Sequence, residues 1–163
     1  MNTISTPDLC DEHGDNVRVL EVNFRHYGGK QHFWGEIVTI KCFEDNSKVA
    51  EMVKTPGNNR VLVVDGGASP RRSLLGDNLA RAAADNGWRG IVIYGYLRDV
   101  EELANMPIGI MALGSVPRKT EKLGDGRCNI ALEFGGTTLY PGEHLYADLS
   151  GAIISKQPLT DTL

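Results

Sequence analysis

Cysteine is scarce in this sequence and badly placed for cross-linking. Cys10, Cys42 and Cys128 are odd in number, far apart and in no CxxC pattern. This argues against a disulfide framework or a zinc-thiolate site and predicts free thiols in a reducing compartment. Histidine is nearly as sparse, and His13, His26, His32 and His144 show no HxxxH spacing, so a His-rich metal site has no support. Nowhere do about eighteen apolar residues run together, and the first 30 contain nothing resembling a signal peptide. A soluble, cytoplasmic protein without a membrane partner is expected. Positive charge is also lacking, for the net charge is −4. Direct nucleic-acid binding needs clustered Lys and Arg, and the pairs Arg71-Arg72 and Arg118-Lys119 are too small to supply it. They could serve a small anion equally well.

The remaining composition is that of an ordinary globular protein, 41% hydrophobic and 23% charged. A chain of 163 residues can bury roughly 70% of its unfolded surface. With no internal repeat, low-complexity stretch or linker in view, one domain over residues 1–163 is expected.

The pattern is most legible from Val61 to Val100. Val61–Val64 is a short apolar run, largely β-branched and closed by Asp65-Gly66-Gly67, which predicts a buried strand ending in a turn. Leu79, Ala80, Ala82, Ala83 and Ala84 predict a compact helix stopped at Asn86-Gly87. Ile91–Tyr94 predicts a second strand, closed by Gly95. Together they form a βαβ unit with parallel neighbouring strands and a right-handed crossover. Asp77 opens the crossover helix and Arg98-Asp99 follows the second strand, with twenty residues between Asp77 and Arg98. Both positions fall at the carboxyl edge of adjacent strands, where open α/β sheets bind ligands.

Around this unit, Thr6 and Pro7 predict a capped helix ending near His13-Gly14. Strands are expected over 16–24 and 33–43, and a turn at 44–47 caps a helix over 48–54. Asp99 and Glu102 have the spacing of a capping box for a short helix through about Ala104. A strand over 108–113 and a charged loop over 117–127 precede a β-meander from Asn129, and residues 156–163 read as a tail. The expected class is mixed α/β with β-rich flanks.

Four features converge at the carboxyl edge. The backbone N–H groups of Gly76, Asp77, Asn78 and Leu79 start a helix and suit a carboxylate or phosphate. Arg98 can hold a carboxylate or enolate oxygen bidentately. Asp99 offers oxygens to a hard divalent cation, and Asp77 could hold that ion directly or through water. Such an ion would be Mg²⁺-like and suited to Lewis-acid chemistry on a 2-oxo acid. Simpler roles explain the same residues: Asp77 and Asp99 as helix caps, Arg98 as a partner of Glu101 or Glu102, and Gly66-Gly67 as a turn. An N-terminal aspartate is worth about 1 kcal/mol to a helix with no ligand present.

These residues closely resemble the family that includes the regulator of ribonuclease E activity A and the 4-hydroxy-4-methyl-2-oxoglutarate aldolases. The matching stretches are TPDLCD, FWGEIVTIKCFEDN, RVLVVDGGAS, RRSLLGDNLA, GWRGIVIYGYLRDV, IGIMALG and HLYADLSGAIIS. The discriminating signature is an acid, twenty residues, then Arg-Asp, which Asp77, Arg98 and Asp99 satisfy. The resemblance implies a swivelling β/β/α domain assembled as a homotrimer, with sites near subunit boundaries. It implies a lyase using Mg²⁺ or Mn²⁺ that splits 4-hydroxy-4-methyl-2-oxoglutarate into two pyruvates and decarboxylates oxaloacetate. On that resemblance Gly76, Asp77, Asn78 and Leu79 bind the substrate carboxylate, and Arg98 binds the substrate and its enolate. Asp99 holds the metal, and Asp77 positions a water that shuttles protons. Longer aldolases of the family carry a C-terminal extension that supplies a further acid from a neighbouring subunit. This chain ends at Leu163, which points to decarboxylation ahead of aldol cleavage. The same resemblance implies alternatives, a protein-binding regulator of a ribonuclease or an inactive trimeric scaffold. Members known for inhibiting the ribonuclease often lack a signature acid; this chain keeps both.

Overall fold

The computed structural model describes residues 3–159. In chain order the helices are α1 (Thr6–His13), α2 (Ser47–Val53), α3 (Asp77–Asp85) and α4 (Val100–Leu103). The strands are β1 (Val17–Val19), β2 (Arg25–His26), β3 (Phe33–Lys41), β4 (Val61–Asp65), β5 (Gly90–Leu97), β6 (Gly109–Ser115), β7 (Arg127–Cys128), β8 (Leu132–Phe134), β9 (Thr137–Leu139), β10 (His144–Asp148) and β11 (Gly151–Ser155). Among the described residues, no helix is long and apolar enough to cross a membrane.

The expected βαβ unit is extended on both sides. β3, β4, β5 and β6 lie side by side in chain order, each parallel to the next. Right-handed crossovers that all advance in one direction place α2, α3 and α4 on one face of the sheet. Antiparallel strands complete the sheet, with β10, β11 and β1 beyond β3, and β2 beyond β6.

The parallel strands are buried on both faces, and their side chains alternate between two cores. Leu62 and Val64 of β4, with Ile91 and Ile93 of β5, meet Val49, Val53, Ala80, Ala83 and Leu103 of the helices. Val61 and Val63, with Val92, turn the other way onto Leu132, Phe134 and Leu139 of the β8–β9 hairpin and Leu145 of β10. The layers are therefore hairpin, sheet and helices, a mixed α/β fold dominated by sheet. A run of β-branched residues with no polar alternation is what a strand covered on both sides requires.

Several expectations are corrected. The strand expected over 16–24 stops at Val19: Leu20 N–H still donates to Ala152 O of β11 at 2.9 Å, and from Glu21 the chain leaves the sheet to meet the hairpin, Glu21 N–H donating to Gly135 O at 2.8 Å. The cap of α1 is Ser5, whose Oγ accepts from Asp8 N–H at 3.2 Å. Thr6 instead donates from its N–H and its hydroxyl to the Asp148 carboxylate, both at 2.7 Å, tying α1 to the β10–β11 turn. The meander is broken in two: β8–β9 is a separate sheet, while β10–β11 joins the main one. Of the expected tail, residues 160–163 lie outside the described residues.

Candidate functional site

At the carboxyl ends of β4 and β5 the chain builds a cleft of about 270 Å³ lined by Gly76, Asp77, Asn78, Leu79, Arg98 and Asp99 together. The sequence separates these residues by a helix and a strand, and the parallel pairing of β4 and β5 reunites them. The segment before α3 is laid along the end of β5, where Leu74 N–H donates to Tyr96 O and Arg98 N–H to Leu75 O, both at 2.9 Å. This lays Gly76 alongside Arg98 and Asp99.

Asp99 does cap a helix, but not its own. It occupies the N-cap position of α4 with a left-handed backbone (φ 59°) and makes no side-chain bond to that helix. Its Oδ2 instead accepts the N–H of Asp77 at 2.9 Å, at the start of α3. The left-handed turn, which aspartate tolerates better than most residues, lets the chain fold back this way. Gly76 makes the approach possible, since a Cβ there would stand 2.6 Å from Asp99 Oδ2. The cap position of α3 is Gly76 itself, so Asp77 is the first helical residue, its Oδ1 accepting Asn78 N–H at 2.8 Å. Two of the four backbone donors are thus engaged by the acids, and among the described residues the N–H groups of Gly76 and Leu79 have no acceptor.

Arg98 makes no ion pair with Glu101 or Glu102; Nη1 donates to Pro117 O at 3.4 Å. Neither Asp77, Arg98 nor Asp99 belongs to any ion pair among the described residues. Gly66-Gly67 is a turn, with Gly67 at φ 66° donating to Asp65 Oδ1 at 2.9 Å, and it lies outside the cleft.

The sequence does not reveal that three lysines, Lys54, Lys119 and Lys122, also line the cleft. With Arg98 they give the cleft four cations against two acids. Lys119 belongs to one of the noted basic pairs, but Lys54 is the C-cap of α2 and Lys122 lies in a loop, so no spacing could group them. The loop is fixed by a carboxylate. Asp45 is buried, 3% exposed, and accepts Ser47 N–H at 2.9 Å, Ser47 Oγ at 2.6 Å, Leu123 N–H at 2.9 Å and Asp125 N–H at 3.1 Å. Burial pushes its pKa up, but these hydrogen bonds together outweigh that and hold it below the ordinary value. Beside it, Thr120 Oγ1 donates to Asn46 Oδ1 at 2.7 Å.

For a metal, the donor set is thin but chemically consistent. No group of three or more His, Cys, Asp or Glu residues able to hold an ion occurs among the described residues. Two carboxylates, each with an oxygen left free of hydrogen bonds, fit a hard cation that keeps several waters and completes its shell with substrate.

The chain is similar to known proteins over nearly its whole length. The family model described as RraA-like, Aldolase/RraA, matches residues 6–154. A Pseudomonas fluorescens protein whose provisional name is 4-hydroxy-4-methyl-2-oxoglutarate aldolase is 56% identical over 159 residues, 98% of each chain. An Azotobacter vinelandii protein with the same provisional name is 56% identical over 94% of this chain and 95% of its own. Among solved structures, the RNA-processing inhibitor RraA from Thermus thermophilus superposes with a TM-score of 0.93 at 39% identity, covering 99% of this chain and 98% of that one. A Geobacillus kaustophilus structure described as an S-adenosylmethionine:2-dimethylmenaquinone methyltransferase gives 0.94 at 45% identity, covering 96% and 97%.

Proposed function

This chain belongs to the RraA-like family, Aldolase/RraA, and on that premise we propose that it is a divalent-metal-dependent lyase acting on small 2-oxo dicarboxylic acids. The reaction is cleavage of 4-hydroxy-4-methyl-2-oxoglutarate to two pyruvates and decarboxylation of oxaloacetate to pyruvate. The observation that carries the reading is the convergence of Asp77, Arg98 and Asp99 in one cleft, with Asp99 bonded to the Asp77 N–H. The names of the relatives diverge, and the cleft favours one of them. At about 270 Å³ it is smaller than the roughly 300–1,000 Å³ typical of drug-sized ligands, and its excess of cations suits a compact dianion.

Asp99, with Asp77 beside it, would hold Mg²⁺ or Mn²⁺, which supplies electrostatic stabilisation to negative charge on the 2-oxo oxygen. Arg98 holds the same developing charge through its fork of donors. The free N–H groups of Gly76 and Leu79 orient the carboxylate next to the keto group. Lys54, Lys119 and Lys122 receive the distal carboxylate of the dianion. In decarboxylation the C3–C4 bond breaks, its electron pair passes into the keto group as CO₂ leaves, and C3 then takes a proton to give pyruvate. In aldol cleavage the proton on the 4-hydroxyl must leave as the C3–C4 bond breaks. Asp77, directly or through a water it positions, accepts that proton and returns one to C3.

Pyruvate release from each substrate, with Mg²⁺ or Mn²⁺ and then with a chelator, tests this. We expect chelation to remove most of the rate above background, and Arg98→Ala to do the same. Full activity in chelator refutes the metal role, and no activity with any 2-oxo acid refutes the lyase. The similarity to the Thermus RNA-processing inhibitor supports a second reading, binding of a ribonuclease partner. A pull-down with that ribonuclease, repeated with Asp99→Ala, tests it separately.

A further inference from the structure

Both tryptophans of the chain, Trp34 and Trp88, line one cavity remote from the cleft. It lies at the opposite end of the parallel sheet, where Phe33 and Trp34 open β3 and Arg89 immediately precedes β5. Arg89 and Arg98 flank the same strand, so the two sites are roughly 25–30 Å apart at about 3.3 Å per residue. The cavity measures about 630 Å³, within the range of small-molecule sites.

Its charge is one-sided. Lys30, His32 and Arg89 line it, and no Asp or Glu does, in a chain whose net charge is −4. The Arg89 guanidinium lies 4.6 Å from the centre of the Trp34 ring and donates from Nη1 to Trp34 O at 3.2 Å. Among the described residues no carboxylate pairs with it, and burial alone depresses its pKa. A half-buried cation without a counter-ion is electrostatically incomplete. The Trp34 Nε1–H is likewise buried with no acceptor, whereas Trp88 Nε1–H donates to Thr55 O at 3.0 Å. The site thus combines uncompensated positive charge with flat aromatic surface.

We infer that this cavity is a second ligand site, taking a small organic anion with a carboxylate for Arg89 and Lys30 and a flat body to lie against the half-buried Trp34 indole, Trp88 forming the buried floor. A neutral ring lacks the charge and an inorganic anion lacks the apolar surface, so each meets only half of the site.

Because no tryptophan lies elsewhere, tryptophan emission of the full chain reports on this cavity directly. Benzoate is the probe, with benzamide and sulfate as comparisons that keep only the ring or only the charge. The expected result is a saturable change with benzoate, at least tenfold tighter than with benzamide or sulfate. It weakens at least tenfold in Arg89→Gln and severalfold in Lys30→Gln, which alters an exposed side chain and leaves the packing intact. Arg98→Ala, at the other end of β5, leaves the affinity unchanged whatever it does to catalysis. An unsaturable response, benzamide or sulfate binding as tightly as benzoate, unaltered affinity in both Arg89→Gln and Lys30→Gln, or loss of the signal in Arg98→Ala overturns the proposal.

Discussion

Gly76 shows how much of the cleft depends on a missing atom. Its neighbour is the Asp99 carboxylate, and a methyl group there would meet Oδ2 at 2.6 Å, closer than side-chain carbons approach anything. Gly76→Ala must therefore push Asp99 off the Asp77 N–H without disturbing either hydrophobic core. We expect kcat/KM for oxaloacetate to fall at least about tenfold, equivalent to about 1.4 kcal/mol in the barrier, with the circular-dichroism spectrum unchanged. Wild-type kinetics in this variant would show that the Asp99 contact is dispensable. Asp45 acts at the same scale through charge. Its folded pKa lies below its unfolded value, so its contribution is complete above the ordinary carboxylate pKa and is lost as the pH falls through the lower folded value. Amide exchange at Leu123 and Asp125 should accelerate below about pH 4, relative to the core strands, and Asp45→Asn should show the same acceleration at neutral pH. Uniform exchange across the chain in both experiments would contradict this local role. Cys42 illustrates the converse: burial, then the charges of Asp45, Asp65 and Cys128, push its thiol up to about 12, which marks it as unreactive in the folded protein.

At the scale of elements, the informative feature is a helix capped from another strand's end. Asp99 and Glu102 have capping-box spacing, and the sequence pattern correctly marks Asp99 as a cap while leaving open which helix it serves. Capping rules are local, whereas α3 and the end of β5 meet only through the sheet. The start of α3 at Asp77 is legible in the sequence, and so is its stop at Asn86-Gly87, with Gly87 at φ 82°. The cleft lysines were not legible, because Lys54 follows α2 as its C-cap while Lys119 and Lys122 hang from a loop anchored on Asp45. The cap also separates structure from catalysis. Asn caps helices nearly as well as Asp, whereas Ala does not. Asp99→Ala should therefore lose about 1 kcal/mol of stability in chemical denaturation, and Asp99→Asn only a few tenths. Both should lose metal-dependent turnover, since neither offers an anionic oxygen. Substantial metal-dependent activity in Asp99→Asn would remove Asp99 from the metal role.

At the scale of the molecule, four parallel strands in chain order set helices on one face and a hairpin on the other. The cleft stands at the carboxyl end of this sheet and the tryptophan-lined cavity at its amino end. We propose, from the resemblance alone, that the chain assembles as a homotrimer, and sedimentation equilibrium should then report three copies of the 17.8 kDa chain. A monomeric mass at the assay concentration would exclude a site that depends on a neighbouring subunit. Phe43 and Leu123, 58% and 71% accessible, are among the large apolar side chains that the single chain leaves exposed.

By itself, the order of residues determined the βαβ unit, the burial of its strands and the placing of Asp77, Arg98 and Asp99 at one edge. Those follow from short-range steric preferences and from the handedness of a single crossover. Tertiary structure alone decided which helix Asp99 caps, which lysines face the acids, and that both tryptophans share a cavity with an unpaired arginine. Each of these is a meeting of residues distant along the chain, and only the closed sheet fixes the distances on which hydrogen bonds and charge depend.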